Sequence, residues 1–377
     1  MLALLMLLQS PSPDIIVTGR RLIEAQAECA RGGCTPLRDA QATIALAEEK
    51  FRTGGYVDAK KLLSAAIKRN EDKASAAPRP VAALYEAMAT VSLHEGDQDD
   101  YRHAVVKQVE TLRDNLPADD GAVLSATTAL GDMWIKLNNY RQAESAYQEI
   151  EREALGSGRA DAAMLAGMKR VWLAAAMKKT GEVERMMTEL EQRPIAQQPG
   201  YKSALQVLRL RLAAQGEDDA AITKLTGQIA QGENQAPVLI WSPPYGRNAI
   251  ADANTHARSF GEADPVQVRS SDLASIQWID VGFWIRPDGS TAEAEILRGS
   301  RTPGWAPTIL DQISGRRYSS RQAIGADDIG TYRVERVTRK NTYVTPTDSH
   351  IRRRVAASGF ETLDLTQASA AQRQPPS

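Results

Sequence analysis

Cysteine is almost missing from this chain of 377 residues: only Cys29 and Cys34 occur, with Ala30-Arg31-Gly32-Gly33 between them. The four histidines, His94, His103, His256 and His350, are scattered, so no Cys/His set stands in register for a zinc ion. A thiol pair enclosing two glycines reads as a small disulfide loop in an oxidising compartment, with two free thiols as the alternative. An excess of one charge is missing too. Lys and Arg number 46 against 47 Asp and Glu, a formal net charge of -1. That argues against a nucleic-acid binder, whose phosphate contacts need a concentrated basic surface. No G-x-S-x-G elbow, P-loop, H-E-x-x-H or G-x-G-x-x-G is present, and each of those motifs would supply a nucleophile, a phosphate cradle or a metal. The expectation is a protein that is not an enzyme and has no cofactor or metal. Long apolar runs are also lacking. Met1 to Leu8 is apolar but far short of the ~20 residues that span a bilayer. Residues 1–13 suit the h-region of a signal peptide, although no Lys or Arg precedes the run and no A-x-A-like site follows it.

What the chain does have, over residues 37–231, is a repeating helical pattern. Gly54, Gly96, Asn138, Gly181 and Gly216 each follow a helical stretch, at spacings of 42, 42, 43 and 35 residues. Periods of that size point to stacked helical hairpins. Gly54-Gly55-Tyr56 with Ala59, Leu63 and Ala66 resembles the turn and second helix of a tetratricopeptide repeat. Leu130-Gly131, Trp134, Asn138, Tyr140, Ala143 and Tyr147 match that family more fully. Gly131, Ala59 and Ala143 belong where paired helices approach closely, with Tyr147 and Leu63 filling the space beside them. Met177, Gly181 and Leu190 keep the frame of a fourth repeat, and Leu208, Gly216, Ala221 and Leu225 that of a fifth. Trp134, Tyr140 and Tyr147 are expected in the core. The charged runs Asp97 to Asp100 and Glu182 to Arg185 are expected to be solvated turns.

Residues 232–271 break the composition, with Pro237, Pro243, Pro244 and Pro265. They read as a linker anchored by Val238-Leu239-Ile240-Trp241, a strand that docks on the sheet beyond. Over residues 272–366 the period changes from helical to two. Ile279, Val281, Phe283 and Ile285 alternate with Asp280, Gly282 and Trp284, the signature of a strand with one buried face, so Asp280 and Glu295 are expected to face solvent. Pro287-Asp288-Gly289 is a turn. Ala292, Ala294 and Ile296 alternate with Glu293, Glu295 and Leu297 in a second strand, and a short helix from Pro307 to Ser314 turns Ile309, Leu310 and Ile313 to one side. Arg316-Arg317-Tyr318 and a strand from Gly330 to Val337 follow. From Arg286 to Arg354 there are 13 Lys or Arg against eight Asp or Glu, a surface for an acidic partner or an ordinary basic one. Residues 367–377 are polar and expected to be disordered.

This order of strand, Asp-Gly turn, strand, helix, Arg-Arg-Tyr and strand resembles the C-terminal domain of TonB, the periplasmic energy transducer of Gram-negative bacteria, over about 60 residues. The resemblance implies that Thr331, Tyr332, Arg333, Val334, Glu335, Arg336 and Val337 form the partner-binding edge strand. Near the other end, in the segment 14–36 read as extended, Asp14-Ile15-Ile16-Val17-Thr18-Gly19 is similar to the TonB box of TonB-dependent receptors, or is simply a first strand or tail. The proline-rich spacer and an anchor are lacking, so energy transduction is not expected. The chain as a whole reads as an α+β multidomain protein, a TPR-like solenoid followed by a small antiparallel α+β domain related to the proteobacterial transducers. Its expected role is that of an exported, periplasmic interaction protein, in solution or membrane-associated, that binds envelope proteins or peptides, including outer-membrane receptors, by β-augmentation. Self-association through the two ends is a further expectation. The alternatives are an envelope enzyme or accessory factor with an unrecognised site, and a structural scaffold whose sheet edge is capped by the chain's own tail. The two parts are expected to fold separately, with the boundary at the proline-rich stretch.

Overall fold

Paired helices come first in the chain and a sheet comes last. The computed structural model describes residues 13–213, 237–245, 276–300, 303–320, 323, 325, 328–345 and 350–366. Residues 1–12, the greater part of the 232–271 linker, the 367–377 tail, and Gly216, Ala221 and Leu225 of the fifth repeat lie outside the described residues. Two compact units divide the chain: Met1–Ser92 with Asp99–Pro117, and Leu93–Gln98 with Ala118–Ser377. The division therefore falls within the helical array and not at the proline-rich stretch. The reason is that the strand after the linker packs on a helix of the array: Ile240 shares a small core with Val207 and Leu210.

In the first unit, α1 (Pro13–Ala30) occupies the segment read as extended. The Asp14–Gly19 run is thus helical and adds no strand to any sheet. Two Ile and a Val raise strand preference only weakly, and tertiary context overrides such a preference easily. Cys29 at the end of α1 is bonded to Cys34, with Cα atoms 4.8 Å apart. Thr35 then caps α2 (Pro36–Arg52) by accepting from the Arg38 amide at 3.3 Å, with Pro36 in the first turn. The loop is short, so reduction is expected to cost about 2 kcal/mol by chain entropy. Thermal melts with and without reductant, alongside mass spectrometry of protein purified without reductant, check this; an unchanged melting temperature contradicts it.

α3 (Tyr56–Asn70) follows Gly54, whose φ of 87° needs a glycine. Ala59, Leu63 and Ala66 are fully buried against α2. Asp39 ties the two helices together by accepting from Arg69 at 2.8 and 3.0 Å and from Asn70 at 2.7 Å. Burial opposes its charge, but Arg69, Asn70 and Thr43 outweigh burial and hold the carboxyl below its ordinary value. α4 (Pro78–Glu95) and α5 (Gln98–Arg113) continue the pattern.

In the second unit, α6 (Gly121–Lys136) pairs with α7 (Tyr140–Gly156), and α8 (Ala160–Ala176) with α9 (Thr180–Glu191). A 3-10 turn, Pro194–Gln197, leads to α10 (Pro199–Ala213). Gly131 and Ala143 sit at the close approach of α6 and α7: a Cβ on Gly131 would overlap the ring of the fully buried Tyr147, 2.8 Å from its Cδ1. That ring is fixed by its hydroxyl donating to Asp132 and by Lys169 lying 5.6 Å over its face. Gly131→Ala is therefore expected to destabilise by about 1–3 kcal/mol through overpacking, read as an earlier denaturant midpoint. Trp134 is partly buried in this core, but Tyr140, expected there, is 38% exposed at the start of α7, its hydroxyl 3.3 Å from Asn138.

The fourth hairpin turns at Lys178 and not at Gly181, which lies inside α9. Lys178 holds φ at 59°, as Asn138 does at 58°. A lysine there costs about 1 kcal/mol relative to glycine. Lys178→Gly is expected to raise the melting temperature, and no rise would mean that this turn carries no such cost. A buried Glu151 locks α7, α8 and the 3-10 turn, paired with Arg170 at 2.5 Å and with Arg193, while Arg193 also donates to the Ala163 carbonyl at 3.0 Å.

The sheet comprises β2 (Trp278–Ile285), β3 (Thr291–Gly299), β5 (Thr331–Val344) and β6 (Arg353–Asp364), all antiparallel in the order β3-β2-β5-β6. β1 (Leu239–Trp241) pairs with β4 (Arg317–Tyr318) as a separate ribbon, so the Val238–Trp241 run is a strand with a partner other than the one expected. α11 (Ala306–Ser314) covers one sheet face: Ile279, Val281, Phe283 and Ile285 meet Ile309, Ile313, Trp305 and Tyr318 in one core. Between β2 and β3, Gly289 at φ 83° lies hard against the Tyr318 carbonyl, and Asp288 accepts from the Ser290 amide at 2.8 Å.

Candidate interaction surface

A strand can recruit a partner strand only where a ladder ends. β5 offers no such place over Glu335 to Thr338, where it has a strand on both sides. Thr331 to Thr338 pair with β2, and Glu335 to Val344 pair with β6, apart from an irregularity at Arg339/Asn341. Of the segment read as the edge, Glu335, Arg336 and Val337 are therefore paired on both sides, whereas Thr331, Tyr332, Arg333 and Val334 have β2 as their single strand partner among the described residues. Even Val334 has its amide bonded to Thr366 at 2.9 Å and its carbonyl to the Leu365 amide at 2.8 Å. β6 went unread because Ala356-Ala357-Ser358-Gly359 dilutes its alternation, and because Arg352-Arg353-Arg354 looked like a surface patch.

Two of those arginines have partners within the second unit. Arg354 donates to Glu95 at 2.8 Å and to the Tyr343 hydroxyl at 2.7 Å, and Arg352 lies 3.5 Å from Asp97. Asp97, expected in a solvated turn, is buried. Gly96, at φ 88°, stands so close to Asn341 that a Cβ would lie 2.5 Å from its carbonyl oxygen. Beside this turn, Lys136 and Lys340 both bind the buried Glu361. Burial would raise the Glu361 carboxyl, and the two lysines outweigh burial to hold it below its ordinary value.

The second face of β2 is also closed. Asp280, expected in solvent, is fully buried: it accepts from Arg336 at 2.7 and 2.9 Å and from Arg298 at 2.7 Å. Arg336 is buried as completely and lies 3.8 Å over the Trp278 ring. A carboxylate and a guanidinium at facing positions of two apolar strands, Asp280↔Arg336, is the signal that sequence reading missed. His94 shares a 2.9 Å hydrogen bond with Thr338 and is buried. Burial, reinforced by the charges of Arg336 and Lys136, pushes its imidazole down from 6.5 to about 4, so it is neutral at physiological pH; Glu361 pulls the other way.

Two strands end the sheet, β6 and β3, and of these β3 is the one with large apolar side chains exposed. Among the described residues β2 is its single strand partner, and residues 295–299 are exposed. Ile296 is 36% and Leu297 44% exposed. Two register shifts against β2 bend the strand, one where Glu293 takes φ 52°. Behind Leu297, Gly282 leaves room for the Tyr332 ring, whose Cζ would stand 2.8 Å from a Cβ there. Trp284 stacks on Tyr332 at 5.0 Å between centroids. Burial, and then the Glu295 carboxylate, raise the Tyr332 phenol. Among the described residues no set of three His, Cys, Asp or Glu is placed to hold a metal, and no helix is long and apolar enough to cross a membrane.

No protein-family model and no curated protein matches the chain. Solved structures similar to it include two with TPR-like or tetratricopeptide repeats. The TPR-like repeats of a Podosopora anserina kinesin light chain share 14% identity over 52% of this chain and 93% of theirs, at a TM-score of 0.41. BtubC (BKLC) from P. vanneervenii shares 12% over 62% of this chain and all of its own, at 0.45. A signal-transduction ATPase with a tetratricopeptide-repeat sensor from Pyrococcus horikoshii shares 13% over 57% of this chain and 33% of its own, at 0.42.

Proposed function

We propose that this protein is a non-enzymatic interaction scaffold of the Gram-negative envelope, exported to the periplasm, which binds extended partner segments by strand addition to β3. The observation that carries the reading is a difference between the two strands that end the sheet: β3 exposes the large apolar side chains Ile296 and Leu297, and β6 exposes none. Main-chain hydrogen bonds along such an edge supply affinity, and the flanking side chains supply selection. Helical-repeat arrays commonly serve as protein-binding scaffolds, which suits a chain that joins one to an open sheet. The Cys29–Cys34 bond supports an oxidising compartment. The strand, Asp-Gly turn, strand, helix and strand order of β2, β3, α11 and β5 supports kinship with the transducer C-terminal domain, with the partner strand moved from β5 to β3. Outer-membrane receptors are then among the candidate partners.

A photo-crosslinking residue at Leu297, in protein exported to the periplasm, is expected to trap a partner, whereas the same residue at the exposed Leu155 on α7 is not. A second reading, a purely structural scaffold, is favoured by β6 capping β5 with the chain's own C-terminal strand. It predicts no specific crosslink at Leu297.

A further inference from the structure

The side chains along β3 carry information about what would pair there. Glu293 and Glu295 are exposed, and among the described residues neither forms an ion pair. The one nearby cation on the strand, Arg298, is committed to Asp280 at 2.7 Å and does not neutralise them. Next to the two carboxylates stand the exposed Leu297 and the Tyr332 and Trp284 rings, and aromatic faces beside carboxylates favour cations. The register shifts interrupt the ladder near Glu293 and Leu297, which limits the pairing to a short segment. A second copy would bring the same two carboxylates to the contact, and like charges across a strand pair repel.

We infer that the outer edge of β3 receives a short extended peptide in which basic residues alternate with apolar ones, its cations meeting Glu293 and Glu295 on one face and its apolar side chains meeting Ile296 on the other. This rests on strand addition at β3 and specifies the chemistry of the added strand.

The test uses the full chain and fluorescein-labelled peptides of about six residues, a typical strand length, read by anisotropy. One peptide alternates Lys and Val, one alternates Glu and Val, and one is the Lys-Val peptide with alternate amides N-methylated. The Lys-Val peptide is expected to bind at least ~10-fold more tightly than the Glu-Val peptide, and Glu293→Gln/Glu295→Gln to weaken it by ~3- to 10-fold. N-methylation is expected to abolish binding. If the Glu-Val peptide binds as well, or the double Gln variant is unaffected while N-methylation still abolishes binding, strand addition stands and the basic chemistry is overturned. If the N-methylated peptide binds like its parent, or none of the three binds, strand addition at β3 falls and the inference falls with it.

Discussion

Asp280→Ala is expected to destabilise the protein by about 3–5 kcal/mol, the cost of leaving a buried charge without its counter-ion. Asp280 and Arg336 are both fully buried and share two hydrogen bonds of 2.7 and 2.9 Å. Truncating the carboxylate strands a guanidinium that folding has already removed from water. The pair itself contributes little net stability, because desolvation offsets most of its attraction. The Asp280→Asn/Arg336→Met double variant, which removes both charges, should therefore recover much of the loss. Denaturant midpoints of wild type, single and double variants check this. A single variant within 1 kcal/mol of wild type (on the order of a surface change) would show that water reaches the pair.

Acid should act through His94. In the unfolded chain an imidazole titrates near 6.5, and in the folded protein His94 titrates at about 4. The unfolded state therefore takes up the proton first. The stability attached to the neutral ring is complete above pH 6.5 and is lost as pH falls through the window down to about 4. The full loss is about 3 kcal/mol. The groups facing this ring include Thr338 at 2.9 Å and the charges of Glu361, Arg336 and Lys136. Carboxylates held low, such as Glu361 and Asp39, also contribute as pH falls. The informative quantity is thus the difference between wild type and His94→Gln, whose stability should decline less between pH 7 and pH 4.5. Parallel pH profiles would mean that His94 is accessible to protons in the folded state.

The parts of the fold that were legible in the sequence are those set by local period and close packing. Ile279, Val281, Phe283 and Ile285 form one core face with Ile309 and Ile313, and Gly131 lies against Tyr147, because an alternation or a missing side chain is itself a sequence signal. The parts that were not legible depend on what lies across from a residue. Asp280 looked like a solvent-facing residue because polar positions of a strand usually face water; Arg336, 56 positions away along the chain, is what makes its burial tolerable. The turn at Lys178 carried no glycine to mark it. The receptor-like run Asp14–Gly19 became helix, and the pairing of Glu335 to Val337 with β6 was not legible, since β6 is too rich in small residues and arginine for its alternation to stand out.

Residue-resolved hydrogen exchange on β3 and β5 tests the placement of the open edge most directly. The amides of Val334 to Arg339 should be protected in the free protein, whereas alternate amides of Thr291–Gly299 should exchange quickly and slow down when the Lys-Val peptide is added. The opposite pattern, with β3 fully protected from the start and β5 slowing on addition of peptide, would place the edge at β5 and contradict the assignment to β3.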